Sequence, residues 1–252
     1  MKTETHVVIG RAISRYLHLD PRLEKCFIRG LKKPDLKAKR RGRRVYRHHG
    51  IYPKSIMHIV WSARRAYLAR DYEKALEILG VALHYLQDKC VIGARKSSRR
   101  IHNRVEREIA SLEIPVDAIR EGFDRAECSP LFVRTVLYSI KPSTNPAEAL
   151  RNACLYSAMI TGAVYNSSQP PRELLEILEK IKMEKMERKK KMKKIVWIPI
   201  TLLIVGLALI PIQPLVSTTL LALSLIYLLL SLISIHTTNP QLHEQLAWYG
   251  LE

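Results

Sequence analysis

The sequence predicts an all-α protein in which a helical bundle is followed by a two-helix transmembrane hairpin. Three observations carry that expectation. Helical spacing of apolar residues dominates residues 1–170. Alternating apolar and polar runs, the mark of half-buried strands, are almost absent. Residues 195–212 and 215–235 contain no charged side chain.

Each element has a local reason. The N-terminal stretch MKTETHVVIGRAISRYL is amphipathic, and Arg11 and Arg15 interrupt what would otherwise be the apolar core of a signal peptide. Residues 55–69 and 71–88 read as two helices separated at Arg70–Asp71. Asn145-Pro146 opens a further helix over 146–165, with proline in the first turn, where its missing N–H costs nothing. Residues 171–194 form a basic amphipathic linker helix that starts at Pro171 and repeats Leu174, Leu175, Leu178 and Ile181 at helical spacing. Helices of about 20 apolar residues cross a bilayer, so the two charge-free blocks, broken by Gln213 and Pro214, predict a transmembrane hairpin over 195–235. The linker places nine cations over 180–194, immediately before the first span. The positive-inside rule then puts the domain of residues 1–170 and the short tail 236–252 on the cytoplasmic side of the cell membrane.

Composition narrows the function classes. The 252 residues hold 42 Lys and Arg against 23 Asp and Glu, a net charge of +19, and are 47% hydrophobic. A wholly disordered polyelectrolyte is excluded by that apolar content, and the charge implies anionic partners, phospholipid head groups or nucleic acid. The four cysteines, Cys26, Cys90, Cys128 and Cys154, form no CxxC pair and no dense framework, so a secreted disulfide scaffold is excluded. Cys26, Cys128 and Cys154 read as small buried hydrophobes, and Trp61, Tyr67 and Tyr85 as core aromatics. His58 reads as a core histidine or as one that supports a ligand residue. No glycine-rich phosphate loop, GxSxG elbow or Cys–His protease pattern is present.

The chemistry lies in spaced histidines and carboxylates. His84 and Asp88 are four apart and project from one helix face. A buried carboxylate is costly unless paired or metal-bound, and imidazole with carboxylate is a zinc donor set. His102 and Glu106 repeat the spacing. His6 lies near the start of the first amphipathic helix, Asp35 follows Pro34 in LKKPDL, and His48 and His49 follow a basic loop. That loop carries Lys37, Lys39, Arg40, Arg41, Arg43, Arg44 and Arg47 between two candidate ligands, as a solvated face or as a device for steering phosphate.

The order THVVIG, KKPD, RHHG, AxxxLGxALHYLQD and HxxxE over residues 5–165 resembles the zinc-dependent phospholipase C family, whose fold is shared with single-strand nucleases of the S1/P1 type. The resemblance implies a helical bundle around one to three Zn²⁺ ions. Asp35, one of His48 or His49, His84 and Asp88 would form the fullest site. Asp88 would bridge to a second ion also held by His6, and His102 and Glu106 would hold a third. Asp35 and Asp88 are the carboxylates expected to serve catalysis, with metal-activated water attacking a phospholipid phosphodiester. Position 94 is alanine where the family carries a further histidine, leaving Cys90 or a water to complete the third site. Relatives use the mature N-terminal amino group as a ligand beside the first histidine, and here five residues precede His6. A single-strand nuclease and a non-catalytic membrane adaptor with one metal site are the alternatives.

Overall fold

The computed structural model describes residues 1–40, 52–92, 99–166, 169–209, 213–233 and 240–251. These fold into eleven helices: α1 Thr3–Tyr16, α2 Pro21–Arg40, α3 Pro53–Leu68, α4 Tyr72–Cys90, α5 Arg99–Ile109, α6 Val116–Asp124, α7 Pro130–Ser139, α8 Pro146–Tyr165, α9 Arg172–Leu209, α10 Pro214–Ile233 and α11 Pro240–Trp248. No strand occurs among the described residues, and Val91 and Ser143 make an isolated bridge. The chain divides into two compact units, one of residues 1–168 with 247–251, the other of residues 169–246 with 252.

The first unit is built around α4. Ala75, Leu76, Leu79, Ala82, Leu83, Leu86 and Cys90 are all fully buried, more than one stripe's worth, so this helix is enclosed rather than laid on a surface. It packs against α2, α3 and α8. The separation of α3 from α4 falls where the sequence places it. Arg70 takes the left-handed φ of 61°, and the Asp71 side chain accepts from the Lys74 N–H as N-cap. Asn145 caps α8 in the same way, accepting from the N–H groups of Ala147 and Glu148 ahead of Pro146. Ser129 and Pro130 repeat that pattern at α7.

Two expectations are corrected here. The transmembrane hairpin is not supported, and with it falls the two-span placement in the cell membrane. Among the described residues no helix is long and apolar enough to cross a membrane. The basic linker and the first apolar block form a single helix, α9. His58 is exposed, not in the core, because α3 buries Ile56, Met57, Val60, Ala63 and Arg64, and position 58 lies off that stripe. Cys26, Cys128 and Cys154 are buried free thiols, as the sequence implies.

Candidate metal centre

Six of the eight candidate ligands lie in the described residues, on four helices: His6 on α1, Asp35 on α2, His84 and Asp88 on α4, and His102 and Glu106 on α5. His48, His49 and the basic loop from residue 41 lie outside the described residues, as does Ala94. His6, His84 and Asp88 converge in the interior, at 0%, 1% and 3% exposure. One donor atom from each lies within 4.8 Å of the others. Asp88 takes its two histidines on different oxygens, His6 Nε2 at 3.3 Å from Oδ1 and His84 Nε2 at 3.5 Å from Oδ2. The two imidazoles lie 4.1 Å apart, centroid to centroid. Asp35 approaches from the more open side, its Oδ1 3.7 Å from His84 Nε2 and its Oδ2 accepting from Thr3 Oγ1 at 2.5 Å.

His102 and Glu106 form a second group, with Nε2 3.4 Å from Oε1. The two groups are joined by a cation that the sequence does not advertise. The Met1 ammonium lies 2.5 Å from Asp88 Oδ1 and 3.0 Å from Glu106 Oε1. Burial works against that charge, but Asp88 and Glu106 outweigh it and raise the amine above its ordinary range. The influence is mutual. Burial alone would raise the Asp88 carboxyl, yet the ammonium beside it holds it well below the usual carboxylate range.

The outer contacts decide which way the rings face. His84 Nδ1 is 2.9 Å from the Leu31 carbonyl, and His102 Nδ1 is 2.8 Å from the Ile92 carbonyl. His6 Nδ1 is 2.7 Å from Gln87 Oε1. A carbonyl can only accept, so Nδ1 carries the proton in the neutral rings of His84 and His102, and Nε2 faces the carboxylates. The Nε2 atoms of His6 and His84 are fully buried and make no hydrogen bond. Buried nitrogens with their lone pairs aimed at a shared carboxylate are unusual in a packed core and are what a cation needs from its ligands. The buried group of His6, His84 and Asp88 could therefore hold a metal ion. Cys90 is not part of that group, and its buried thiol donates to the Leu86 carbonyl.

The HxxxD and HxxxE spacings disclose the pairs on α4 and α5. Gln87 and Met1 have no such signal, because each acts across more than eighty positions of sequence. No family model, curated protein or solved structure matches the chain.

Proposed function

We propose that the protein is a zinc-dependent phosphodiester hydrolase whose metal is held by His6, His84 and Asp88, with Asp35 completing the set from α2. The observation that carries this reading is the pair of buried, unpartnered Nε2 atoms aimed at one carboxylate. Bound zinc would supply Lewis-acid activation of water and of the phosphate oxygens. His6 and His84 present neutral nitrogens to the ion. Asp88 supplies charge from the interior, and Asp35, 18% exposed and fixed by Thr3, faces the side from which a substrate arrives. Glu106, at 17% exposure, extends the acidic rim toward α5.

The test is elemental analysis of the full chain after zinc loading and desalting, beside Asp88→Asn. One or more zinc ions per chain, lost in the variant, support the reading, and a zinc-free folded protein overturns it. Turnover is then read with bis(p-nitrophenyl) phosphate and a short-chain phospholipid. Zinc bound without hydrolysis of either would reduce the centre to a structural one.

A polyanionic substrate is the second reading, favoured by Arg100, Arg104 and Arg107, exposed on the helix that carries His102 and Glu106. Hydrolysis of single-stranded DNA that falls steeply between 50 and 200 mM salt would support it, because cations that neutralise phosphates release counterions on binding.

A further inference from the structure

Gln87 precedes Asp88 on α4 and is 0% exposed. Its amide spans two other helices. Oε1 lies 2.7 Å from His6 Nδ1 on α1, and Nε2 donates to Ser157 Oγ on α8 at 3.0 Å. Ser157 is itself fully buried, and its carbonyl accepts from Thr161 Oγ1 at 2.7 Å. Successive residues on a helix diverge by about 100°, so Gln87 and Asp88 reach His6 from opposite ends of the ring. Asp88 faces Nε2 at 3.3 Å and Gln87 faces Nδ1.

The other two histidines of the centre have Nδ1 set by main-chain carbonyls. For His6 the side-chain amide of Gln87 fills that place. The substitution matters, because an amide can present either end. With the oxygen toward His6, Nδ1 carries the proton and Nε2 is a lone pair. With the NH₂ group toward His6, the proton moves to Nε2, which then donates to Asp88 and is closed to a cation. Ser157 Oγ accepts from the NH₂ end of the amide, and the amide oxygen faces His6.

We propose that Gln87, anchored by Ser157, is a positioning residue that holds His6 as the Nδ1–H tautomer and aims its Nε2 lone pair at the cation site beside Asp88. The inference rests on the metal reading above. Partners of this kind typically change metal affinity by about 10–100-fold when removed.

Two variants of similar volume separate positioning from packing. Gln87→Glu keeps an acceptor toward His6 and can still be met by the Ser157 hydroxyl, whereas Gln87→Met keeps the bulk and removes the acceptor. Zinc affinity, measured by calorimetric titration of the full chain, should fall about 10–100-fold in Gln87→Met and be largely retained in Gln87→Glu. A packing role gives the reverse order, since a buried thioether is tolerated and a buried carboxylate is not. The second readout needs no Gln87 variant and no metal to bind. In the metal-free wild type at pH 8, ¹⁵N chemical shifts of the His6 ring, identified by their loss in His6→Gln, should show a protonated Nδ1 and a bare Nε2. A protonated Nε2 overturns the proposal, whether in the other tautomer or in the imidazolium. Failure of the wild type to take up zinc would remove the metal reading alone, and the ring shifts would still decide the role of Gln87.

Discussion

His84 is enclosed by Asp88, Asp35, His6 and Tyr85. Burial, reinforced by its neighbour His6, pushes its pKa down to about 4 from the ordinary 6.5. Between those values the unfolded chain binds a proton that the folded chain refuses. The stability that a neutral His84 contributes is thus complete above pH 6.5 and is lost as the pH falls toward 4. In chelator-treated protein the urea midpoint should fall over that window more steeply for the wild type than for His84→Gln; parallel pH profiles would show that His84 does not titrate this way. The thiols offer a second check at this scale. Burial pushes Cys154 up to about 12 and raises Cys90 further. Neither should be alkylated by iodoacetamide at pH 8 in the folded protein, and both should react in urea, as read by mass spectrometry. Contacts were legible where the partners recur four apart on one helix, as with His84 and Asp88. They were hidden where a partner comes from a distant helix, as with Gln87 and His6. His58 shows the opposite failure, since its apolar neighbours suggest burial and only its angular position on α3 reveals exposure.

At the scale of elements, the site depends on how closely α2 approaches α4. A Cβ on Gly30 would run into the Glu77 carbonyl oxygen, and one on Gly80 into the Phe27 carbonyl oxygen. The two glycines therefore let the backbones touch, and α2 delivers both the Leu31 carbonyl and the Asp35 carboxylate to His84. Gly80→Ala should destabilise the first unit by about 1–3 kcal/mol, the usual cost of overpacking, and should weaken zinc binding without altering any ligand. Urea unfolding and zinc titration of the same variant test both. Full stability with an unchanged zinc affinity would show that the close approach is dispensable. The helices that were legible have caps written into the chain, Asp71 for α4 and Asn145-Pro146 for α8. At residue 195 the composition changes from basic to apolar but the helix does not end, so α9 runs from the linker into the apolar block.

For the molecule as a whole, the closing contact of the first unit joins positions 184 residues apart. Arg64 is 2% exposed, and no carboxylate is among its hydrogen-bond partners. Its guanidinium donates instead to main-chain oxygens, to Val164 at 2.6 Å and Asn166 at 3.0 Å at the end of α8, and to Trp248 at 2.9 Å. The carbonyl end of a helix carries partial negative charge, which suits a buried cation. Trp248 is fully buried and meets Trp61 edge-on at 4.8 Å, while the Tyr249 hydroxyl donates to the Cys128 carbonyl at 2.5 Å. No periodicity near residue 248 predicts this, because the side chains that receive the tryptophan, Trp61 and Arg64, lie on α3, far away in sequence. Arg64→Met should cost at least about 1–3 kcal/mol, the penalty for one stranded buried carbonyl. Arg64→Lys should not restore it, since a single ammonium cannot reach three separated acceptors. Trp248→Ala should cost about 3–5 kcal/mol. Because the two side chains share one contact, the double variant should lose less than the sum of the single losses. Strict additivity in urea unfolding would mean that the C-terminal segment docks independently of Arg64, and that this cation serves only the end of α8.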